Sequence, residues 1–340
     1  MRYAFLIFIL YASISYGQRS AFNAIDFSKA DSVAYQYKGA SLKSLPILVH
    51  NLTTNLPTDV EKFRAIYTWI STNIENDYNS YAKTKSKRSK IEKDRTAFLA
   101  WNQDYTPKVF EQLISNKKTA CTGYAYLVRE MASLADLPCE IIDGHSRTPT
   151  LPLTLESLPN HSWNSVQLNG KWYLCDATWS AGQIVFKEGY PEFQFEYHDG
   201  YFLAEPSLFI RNHYPLEKKW ALLKDIPSFE HFISGPIVYK NAFNFSINPE
   251  FPLALETEII KNERIHFKFS SAERLDPADL VLEIGNGYAT QTIDTTFFQH
   301  NSDYSISYKF RKAGLYDVHL KIQWCYYRHL YYTGKKKVIF

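Results

Sequence analysis

The stretch HSWNSVQLNGKWYLCD, residues 161–176, decides the local fold because it has the pattern of a β-hairpin. Asn169 and Gly170 stand between two runs of β-favouring residues. Asn-Gly is a preferred sequence for the two-residue type I′ turn, which joins antiparallel strands. With this turn, Leu168 faces Lys171, and the pairing continues outward from there. The stretch therefore predicts an antiparallel sheet within this part of the chain.

The predicted register puts a histidine and a carboxylate on one face of the hairpin. It places Trp163 opposite Asp176 and His161 opposite Thr178, and side chains alternate faces along a strand. His161 and Asp176 are then diagonal neighbours, about 7–8 Å apart at Cα, which an imidazole–carboxylate hydrogen bond can bridge. Such a carboxylate fixes the imidazole tautomer and stabilises the charged ring. The pair predicts the base and the orienting acid of a catalytic triad; the alternative is an ordinary sheet histidine beside a turn-forming aspartate.

Cys121 is the candidate nucleophile. Apolar residues follow it at helical spacing and stop before Pro138, so a helix is expected to begin at Cys121. The free N–H groups and partial positive charge at a helix N-terminus favour a thiolate, and a nearby imidazolium lowers the thiol pKa further. The same N–H groups can stabilise a developing oxyanion. Gly123 allows the first turn to pack closely.

The other three cysteines fit this role less well. Cys139 starts a short predicted strand, Cys175 points to the face opposite Asp176, and Cys325 lies in the C-terminal part. Four cysteines do not make a disulfide framework in a chain of 340 residues. Export would permit a disulfide between Cys139 and Cys175, which is left open. A buried structural cysteine is the alternative for each of them.

The N-terminus predicts a secretory signal peptide. Arg2 precedes a short apolar run over residues 3–14, and Ser15 and Gly17 stand at −3 and −1 of a cleavage point before Gln18. The run is short for a transmembrane helix, although an uncleaved anchor is the alternative. No cysteine follows it, which argues against a bacterial lipoprotein. A secreted or periplasmic protein without an integral span after cleavage is expected.

The remaining pattern indicates two domains after the signal peptide (1–17). Residues 18–234 mix helical and strand patterns, including an amphipathic helix over 59–76, and predict an α+β domain. Residues 235–340 contain short alternating runs at 263–269, 280–284, 304–310 and 318–322, which predict an immunoglobulin-like β-sandwich. The basic segment 81–95 is interpreted as a solvated loop; a rim that attracts an acidic polymer is the alternative.

Three motifs resemble the core of the transglutaminase-like superfamily: TACTGY (119–124), NHSWN (160–164) and GKWYLCDATW (170–179). The branch that this chain most resembles is that of bacterial proteins related to kyphoscoliosis peptidase. The resemblance implies a papain-like core, a helix packed on an antiparallel sheet, with Cys121 as nucleophile, His161 as general base and acid, and Asp176 as orienting acid. Thr119-Ala120 departs from the Gly-Val-like pair of the family. Substrate contacts are expected from three aromatic residues of these motifs: Tyr124, Trp163 and Trp179.

The predicted chemistry is acyl transfer on protein or peptide amides, through a thioester, with water or an amine as acceptor. A cell-envelope polymer is a further expected partner class. No cofactor or metal is expected, because calcium-loop, CxxC and HExxH spacings are absent from the sequence. The net charge of +3 gives no reason to expect nucleic acid. The alternatives are a catalytically inactive binding or scaffold protein at the cell envelope and a zinc site that uses Cys121 and His161.

Overall fold

The computed structural model describes residues 19–91, 94–149, 152–293 and 297–322. The described α-helices are α1 (Ser28–Gln36), α2 (Leu45–Thr53), α3 (Asp59–Asn73), α4 (Tyr78–Ile91), α5 (Arg95–Asn116), α6 (Cys121–Leu134), α7 (Ala177–Ala181), α8 (Pro206–Phe209), α9 (Phe229–Ser234) and α10 (Lys240–Asn244). The described strands are β1 (Glu75–Asn76), β2 (Lys118–Thr119), β3 (Cys139–Ser146), β4 (His161–Leu168), β5 (Lys171–Cys175), β6 (Gly182–Lys187), β7 (Tyr190–Phe195), β8 (His213–Pro215), β9 (Asn248–Phe251), β10 (Arg264–Ser270), β11 (Leu280–Gly285), β12 (Thr290–Ile293), β13 (Phe298–His300), β14 (Asp303–Lys309) and β15 (Asp317–Ile322).

Helix α3 anchors the segment that leads into Cys121. Thr58 caps it in a capping box with Glu61, which satisfies N–H groups that the helix leaves unpaired at its start. Almost the whole length of α3 is buried, so it is a core helix. It ends at Asn73, and β1 follows at once and pairs in parallel with β2, directly before α6. The end of the core helix thereby fixes the backbone just ahead of Cys121.

The predicted hairpin is present, and its register is confirmed from Asn164↔Cys175 to Leu168↔Lys171. Asn169 and Gly170 both have positive φ, 50° and 75°, as a type I′ turn requires. The sheet is antiparallel in the order β5-β4-β3-β8, and α6 packs against β3 and β4. The helix-on-sheet core expected from the resemblance is therefore confirmed.

The outer part of the predicted register is wrong. Strand β5 ends at Cys175, and Asp176 is the N-cap of α7, so Thr178 lies in a helix and has no partner in β4. The carboxylate of Asp176 accepts from the backbone N–H groups of the first turn of α7, which competes with continuation of the strand. The preference of aspartate for a helix N-cap therefore ended the strand, and the alternating strand pattern of the sequence did not indicate this.

The described part of the basic segment is helical, which corrects the interpretation of residues 81–95 as a loop. Residues 81–91 belong to α4, and Arg95 begins α5. Lysine, arginine and alanine favour helices. Further along α5, Trp101 stacks on Tyr105 with ring centroids 4.8 Å apart. Charge density alone was a poor guide because it distinguishes exposed from buried residues, not helix from loop.

After α10, the described C-terminal part consists of strands and one short 3-10 turn at residues 277–279, and its strands fit the predicted sandwich of two antiparallel sheets. One has the order β13-β14-β10-β9 and the other β12-β11-β15. The four runs singled out in the sequence correspond to β10, β11, β14 and β15. The immunoglobulin-like topology stays a prediction.

The hydrophobic core crosses the predicted domain boundary at residues 234/235. One buried cluster joins Trp163 and Phe209 from the first part to Phe269 and Leu282 from the sandwich. The face of the sheet β5-β4-β3-β8 that carries Trp163 is thus covered by the C-terminal part, and the domain limits stay a prediction.

Other expectations concern the cysteines and the membrane. Cys139 and Cys175 are free thiols in the structure, so no disulfide joins them. The predicted signal peptide and Cys325 lie outside the described residues. Within the described ranges, no helix combines the length and the hydropathy needed to cross a membrane.

Candidate active site

Cys121 is the first residue of α6, as predicted. The N-cap Ala120 offers no side-chain acceptor, so no N-cap side chain bonds the N–H groups of the first turn, although its carbonyl accepts from the N–H of Gly123 at 3.0 Å. A Cβ on Gly123 would stand 2.0 Å from Oγ1 of Thr119, so glycine is required for the close approach of β2. The side-chain amide of Asn164 donates to the carbonyl of Ala125 at 2.9 Å and ties α6 to β4. Helix and sheet are therefore fixed relative to one another near the thiol.

His161, the first residue of β4, lies between the thiol and the carboxylate. Its Nε2 donates to Oδ2 of Asp176 at 2.6 Å. The ring also forms a hydrogen bond with Cys121, and the backbone N–H of Ser162 forms another with the same sulfur. Because Nε2 carries the proton given to Asp176, the geometry assigns Nδ1 to the exchange with the thiol. The three residues make one continuous hydrogen-bonded chain.

Asp176 is held by four hydrogen bonds. Oδ1 accepts from the backbone N–H groups of Thr178 and Trp179 at 2.8 and 3.1 Å. Oδ2 accepts from His161 and also from Nε2 of His213 at 3.0 Å. The carboxylate is thus both the cap of α7 and the acceptor for two imidazoles, which explains how it stays in place while nearly fully buried.

The electrostatics favour a thiolate–imidazolium pair. Burial opposes ionisation of Cys121, but the hydrogen bond and charge of His161 outweigh it and lower the pKa of the thiol. Burial also opposes protonation of His161, yet the charge and hydrogen bond of Asp176 raise its pKa to about 10. The pKa of Asp176 is held below its ordinary value, because the histidines more than offset its burial. Burial gives His213 a pKa of about 4, so this second ring is neutral at physiological pH.

The remaining cysteines have the opposite character. Burial raises the pKa of Cys139 to about 12 and that of Cys175 well above its usual value. A buried thiol that stays protonated is a poor nucleophile. Among the cysteines that the structure describes, Cys121 has the environment of a reactive one.

Two of the three predicted substrate contacts are corrected by burial. Tyr124 and Trp163 are each 1% exposed. Tyr124 donates its hydroxyl to the carbonyl of Ile74, and Trp163 packs in the cluster shared with the sandwich. Both are therefore part of the core. Trp179 is partly exposed and lies against the His161 ring, with centroids 5.6 Å apart, so it remains a candidate for substrate contact.

Three possible metal ligands lie together in the site, namely His161, Asp176 and His213, with ligand atoms within 4.8 Å of one another. Cys121, on which the zinc alternative depended, is outside this group. The separation of 2.6 Å between His161 and Asp176 is a hydrogen-bond distance. Ligands of a tetrahedral zinc ion, bound at about 2.0–2.1 Å, lie roughly 3.3 Å apart. The arrangement fits a hydrogen-bond network better than a metal centre.

The sequence reasoning missed His213 and the supporting role of Tyr67. His213 reaches Asp176 through β8, a strand of only three residues that pairs with β3. The Tyr67 hydroxyl donates to the carbonyl of Asp176 at 2.8 Å and holds the strand end from behind. A three-residue strand carries no usable periodicity, and the Tyr67 contact spans more than a hundred residues of sequence, so no local signal pointed to either.

Comparison with known proteins identifies relatives over the part of the chain that builds this site. Residues 47–177 match the family model described as transglutaminase-like superfamily. Human kyphoscoliosis peptidase is 35% identical over 209 residues, which are 61% of this chain and 28% of that protein. The mouse kyphoscoliosis peptidase is 32% identical over 239 residues, 63% of this chain and 33% of that protein. Hillarin from Drosophila melanogaster is 26% identical over 236 residues, which are 66% of this chain and 26% of that protein.

A solved structure titled "Crystal structure of a TGase" is similar with 12% identity and a TM-score of 0.27, covering 49% of this chain and 35% of that one. The alignments with the human and mouse relatives cover about a third or less of those proteins. The similarity thus concerns one region of longer proteins, and it includes Cys121, His161 and Asp176 within the match to the family model.

Proposed function

The chain contains a transglutaminase-like domain and is a homologue of the kyphoscoliosis peptidases, and on this premise we propose that it is a cysteine-dependent acyl-transfer enzyme acting on protein or peptide amides. The observation that carries the proposal is the hydrogen-bonded chain from Cys121 through His161 to Asp176. A buried carboxylate, an oriented imidazole and a cysteine residue that is partly exposed at a helix N-terminus are what nucleophilic catalysis by cysteine needs.

In the proposed reaction, the Cys121 thiolate attacks the amide carbonyl carbon, and the carbonyl oxygen becomes an oxyanion near the first-turn N–H groups of α6. Collapse of this intermediate breaks the C–N bond, while Nδ1 of His161 gives its proton to the departing nitrogen. A thioester on Cys121 and a neutral His161 remain. Water or an amine then attacks the thioester, His161 takes its proton, and the thiolate is regenerated.

A peptide substrate is supported by the surface beside the thiol. Tyr81 of α4 is within electrostatic reach of the Cys121 sulfur. Tyr78 of the same helix contacts Phe186 of the β6–β7 hairpin, with ring centroids 5.7 Å apart. Phe186 is 62% exposed. Tyr190 pairs with Lys187 whereas Phe186 pairs with Pro191, so the Tyr190 ring lies on the opposite face of the hairpin. We call Tyr78, Tyr81 and Phe186 the aromatic wall, and partly or largely exposed aromatic groups of this kind suit binding of peptide side chains.

The charge of α4 suggests which peptides or polymers would be preferred. Its exposed lysines follow Tyr81 along the helix: Lys83, Lys85, Lys87 and Lys90. They would attract an acidic substrate, including an anionic cell-envelope polymer, and this effect would weaken with salt. Export through the N-terminal signal is part of the same proposal. Mass spectrometry of the mature N-terminus tests it, since cleavage before Gln18 is expected and an intact Met1 would contradict export by cleavage.

The deciding experiment is the pH dependence of Cys121 alkylation, followed by peptide mapping so that each thiol is measured separately. We expect an apparent pKa for Cys121 below the free-thiol value of about 8.5, and an increase toward that value in His161→Ala. Cys139 and Cys175 serve as internal controls and should react slowly at neutral pH, because burial raises the pKa of both thiols.

Amide turnover should then follow the charge states of Cys121 and His161. Amide turnover is expected to rise as Cys121 ionises and to fall above about pH 10, where His161 loses the proton needed by the leaving nitrogen. Cys121→Ala, which lacks the proposed nucleophile, gives the background rate of the assay. An ordinary thiol pKa in the wild-type protein that is unchanged in His161→Ala would exclude an activated nucleophile and favour the inactive binding protein.

A further inference from the structure

We propose that His213 is a positioning residue of the site, whose neutral ring donates from Nε2 to Asp176 and fixes the carboxylate for His161. The inference rests on the proposed function, because it assigns a role within the same triad. His213 bonds Asp176, and Asp176 bonds His161, so His213 acts on the site through the carboxylate and not by direct contact with the thiol.

The position of the His213 ring is set by packing. The residue is 0% exposed. Its ring stacks on Phe209, with centroids 4.0 Å apart, and lies 4.4 Å from the ring of Trp179. Because aromatic neighbours hold the ring, Nε2 is aimed at Oδ2 of Asp176 independently of His161. A donor held this way can keep the carboxylate from rotating when His161 changes its charge.

The charge state of His213 fits this role. Burial lowers its pKa most strongly, and the Asp176 carboxylate opposes this effect, while the charge of His161 reinforces it. The carbonyl of Phe209 also favours protonation, but the result is a pKa of about 4. Between about pH 4 and pH 10, His213 is thus neutral while His161 is charged. A neutral donor adds a hydrogen bond to Asp176 without adding a second positive charge. A charged His213 would compete with His161 for the single negative charge of Asp176.

Because Oδ2 of Asp176 accepts two hydrogen bonds, removal of the His213 donor has a specific consequence. In wild-type protein Oδ2 faces both rings, and Oδ1 is held by the start of α7. Without the His213 donor, the carboxylate can turn away from His161 and the imidazolium loses stabilisation. The pKa of His161 should then fall, and the pKa of the Cys121 thiol should rise.

The test compares His213→Phe, which keeps a packed ring but removes the donor, with His213→Gln, which retains an N–H near the position of Nε2. Loss of an outer residue that orients a metal-ligating histidine costs roughly 10- to 100-fold, and we take the same range for a residue that orients Asp176. We expect that decrease in the Cys121 alkylation rate at a pH below the thiol pKa, and in kcat with little change in KM, for His213→Phe. His213→Gln should recover most of both.

A matched control is His145→Phe, because His145 is also buried, contacts Phe229, and hydrogen-bonds the carbonyl of Ser157 instead of the triad. It should leave the alkylation profile unchanged. Thermal unfolding of all three variants separates a loss of folding from a loss of positioning. If His213 had a purely structural role, the Cys121 alkylation rate would decrease in proportion to stability, and His213→Gln would not restore it.

Histidine NMR titration gives a readout that does not need an active enzyme. We expect the pKa of His161 to fall in His213→Phe and to return toward the wild-type value in His213→Gln. An unchanged His161 titration and an unchanged alkylation profile in His213→Phe would overturn the inference. If wild-type Cys121 has an ordinary pKa while the His161 titration still responds, the proposed enzyme function fails and the positioning role of His213 stands.

Discussion

Two regions meet at the Cys121 thiol, and they differ in their exposure to water. The triad network behind it is buried: His161, Asp176 and His213 are 7%, 1% and 0% exposed. The aromatic wall beside it includes Phe186, which stands largely in solvent. Buried charges keep their geometry only with partners, whereas exposed rings are free to contact a ligand. Chemistry and recognition are therefore assigned to separate regions, and substitutions should separate kcat from KM.

The largest effect is expected from Asp176→Asn in the buried network. An amide cannot stabilise the His161 imidazolium, and it can present an N–H where the ring needs an acceptor, so amide turnover should fall by roughly 10³- to 10⁴-fold. Steady-state kinetics at constant pH measure the loss, with KM expected to change little. The control is Glu140→Gln, which removes an exposed carboxylate from β3 in the same sheet and should keep activity near wild type. Comparable activity in both variants would contradict the role of Asp176.

A smaller effect is expected where the network depends on close backbone packing. Gly123→Ala puts a methyl group against the side chain of Thr119, which is buried and β-branched and has little room to move. Overpacking of this kind costs typically 1–3 kcal/mol. Urea unfolding should show that loss, and because Gly123 lies in the first turn of α6, the alkylation rate of Cys121 should fall as well. The control is Gly39→Ala at a position with open space but positive φ, where only stability should change. Wild-type stability in Gly123→Ala would show that the segment carrying Thr119 can shift freely.

The same contrast explains what the sequence could predict. Local signals were sufficient for the hairpin, because Asn169-Gly170 determines its own turn and the register follows from it. The contact between His161 and Asp176 was predicted from that register, although Asp176 achieves it as the cap of α7 and not as a strand residue. The catalytic roles of the two residues stay a prediction until kinetics test them.

Features that depend on distant parts of the chain were not predictable. His213 arrives from a segment without a clear pattern, and its short strand is ordered by pairing with β3. Trp163 shares a face with the site in the predicted hairpin, but the sandwich covers it, so an expected contact surface became core. Helix α4 needed its contact with the β6–β7 hairpin to be distinguished from a charged loop. Burial and partners of this kind are tertiary properties, which single-sequence patterns contain only weakly.

The smallest effect, and the sharpest test of the contrast, is expected from the aromatic wall. Phe186→Ser removes an exposed ring from the wall, and Tyr190→Ser removes one from the opposite face of the same hairpin, so each should change the free energy of unfolding by about 0.5 kcal/mol or less. If the wall binds peptide side chains, KM for an amide substrate should rise by roughly 3- to 10-fold in Phe186→Ser and stay near wild type in Tyr190→Ser. In both variants kcat should stay close to wild type, because the groups that act on the amide are untouched. The matched control is Tyr288→Ser, an aromatic residue that is 99% exposed on the C-terminal sandwich. An equal rise in KM for Tyr288→Ser would mean that exposed rings act nonspecifically. A fall in kcat without a change in KM would mean that the wall belongs to the catalytic network, and that the division between chemistry and recognition is wrong.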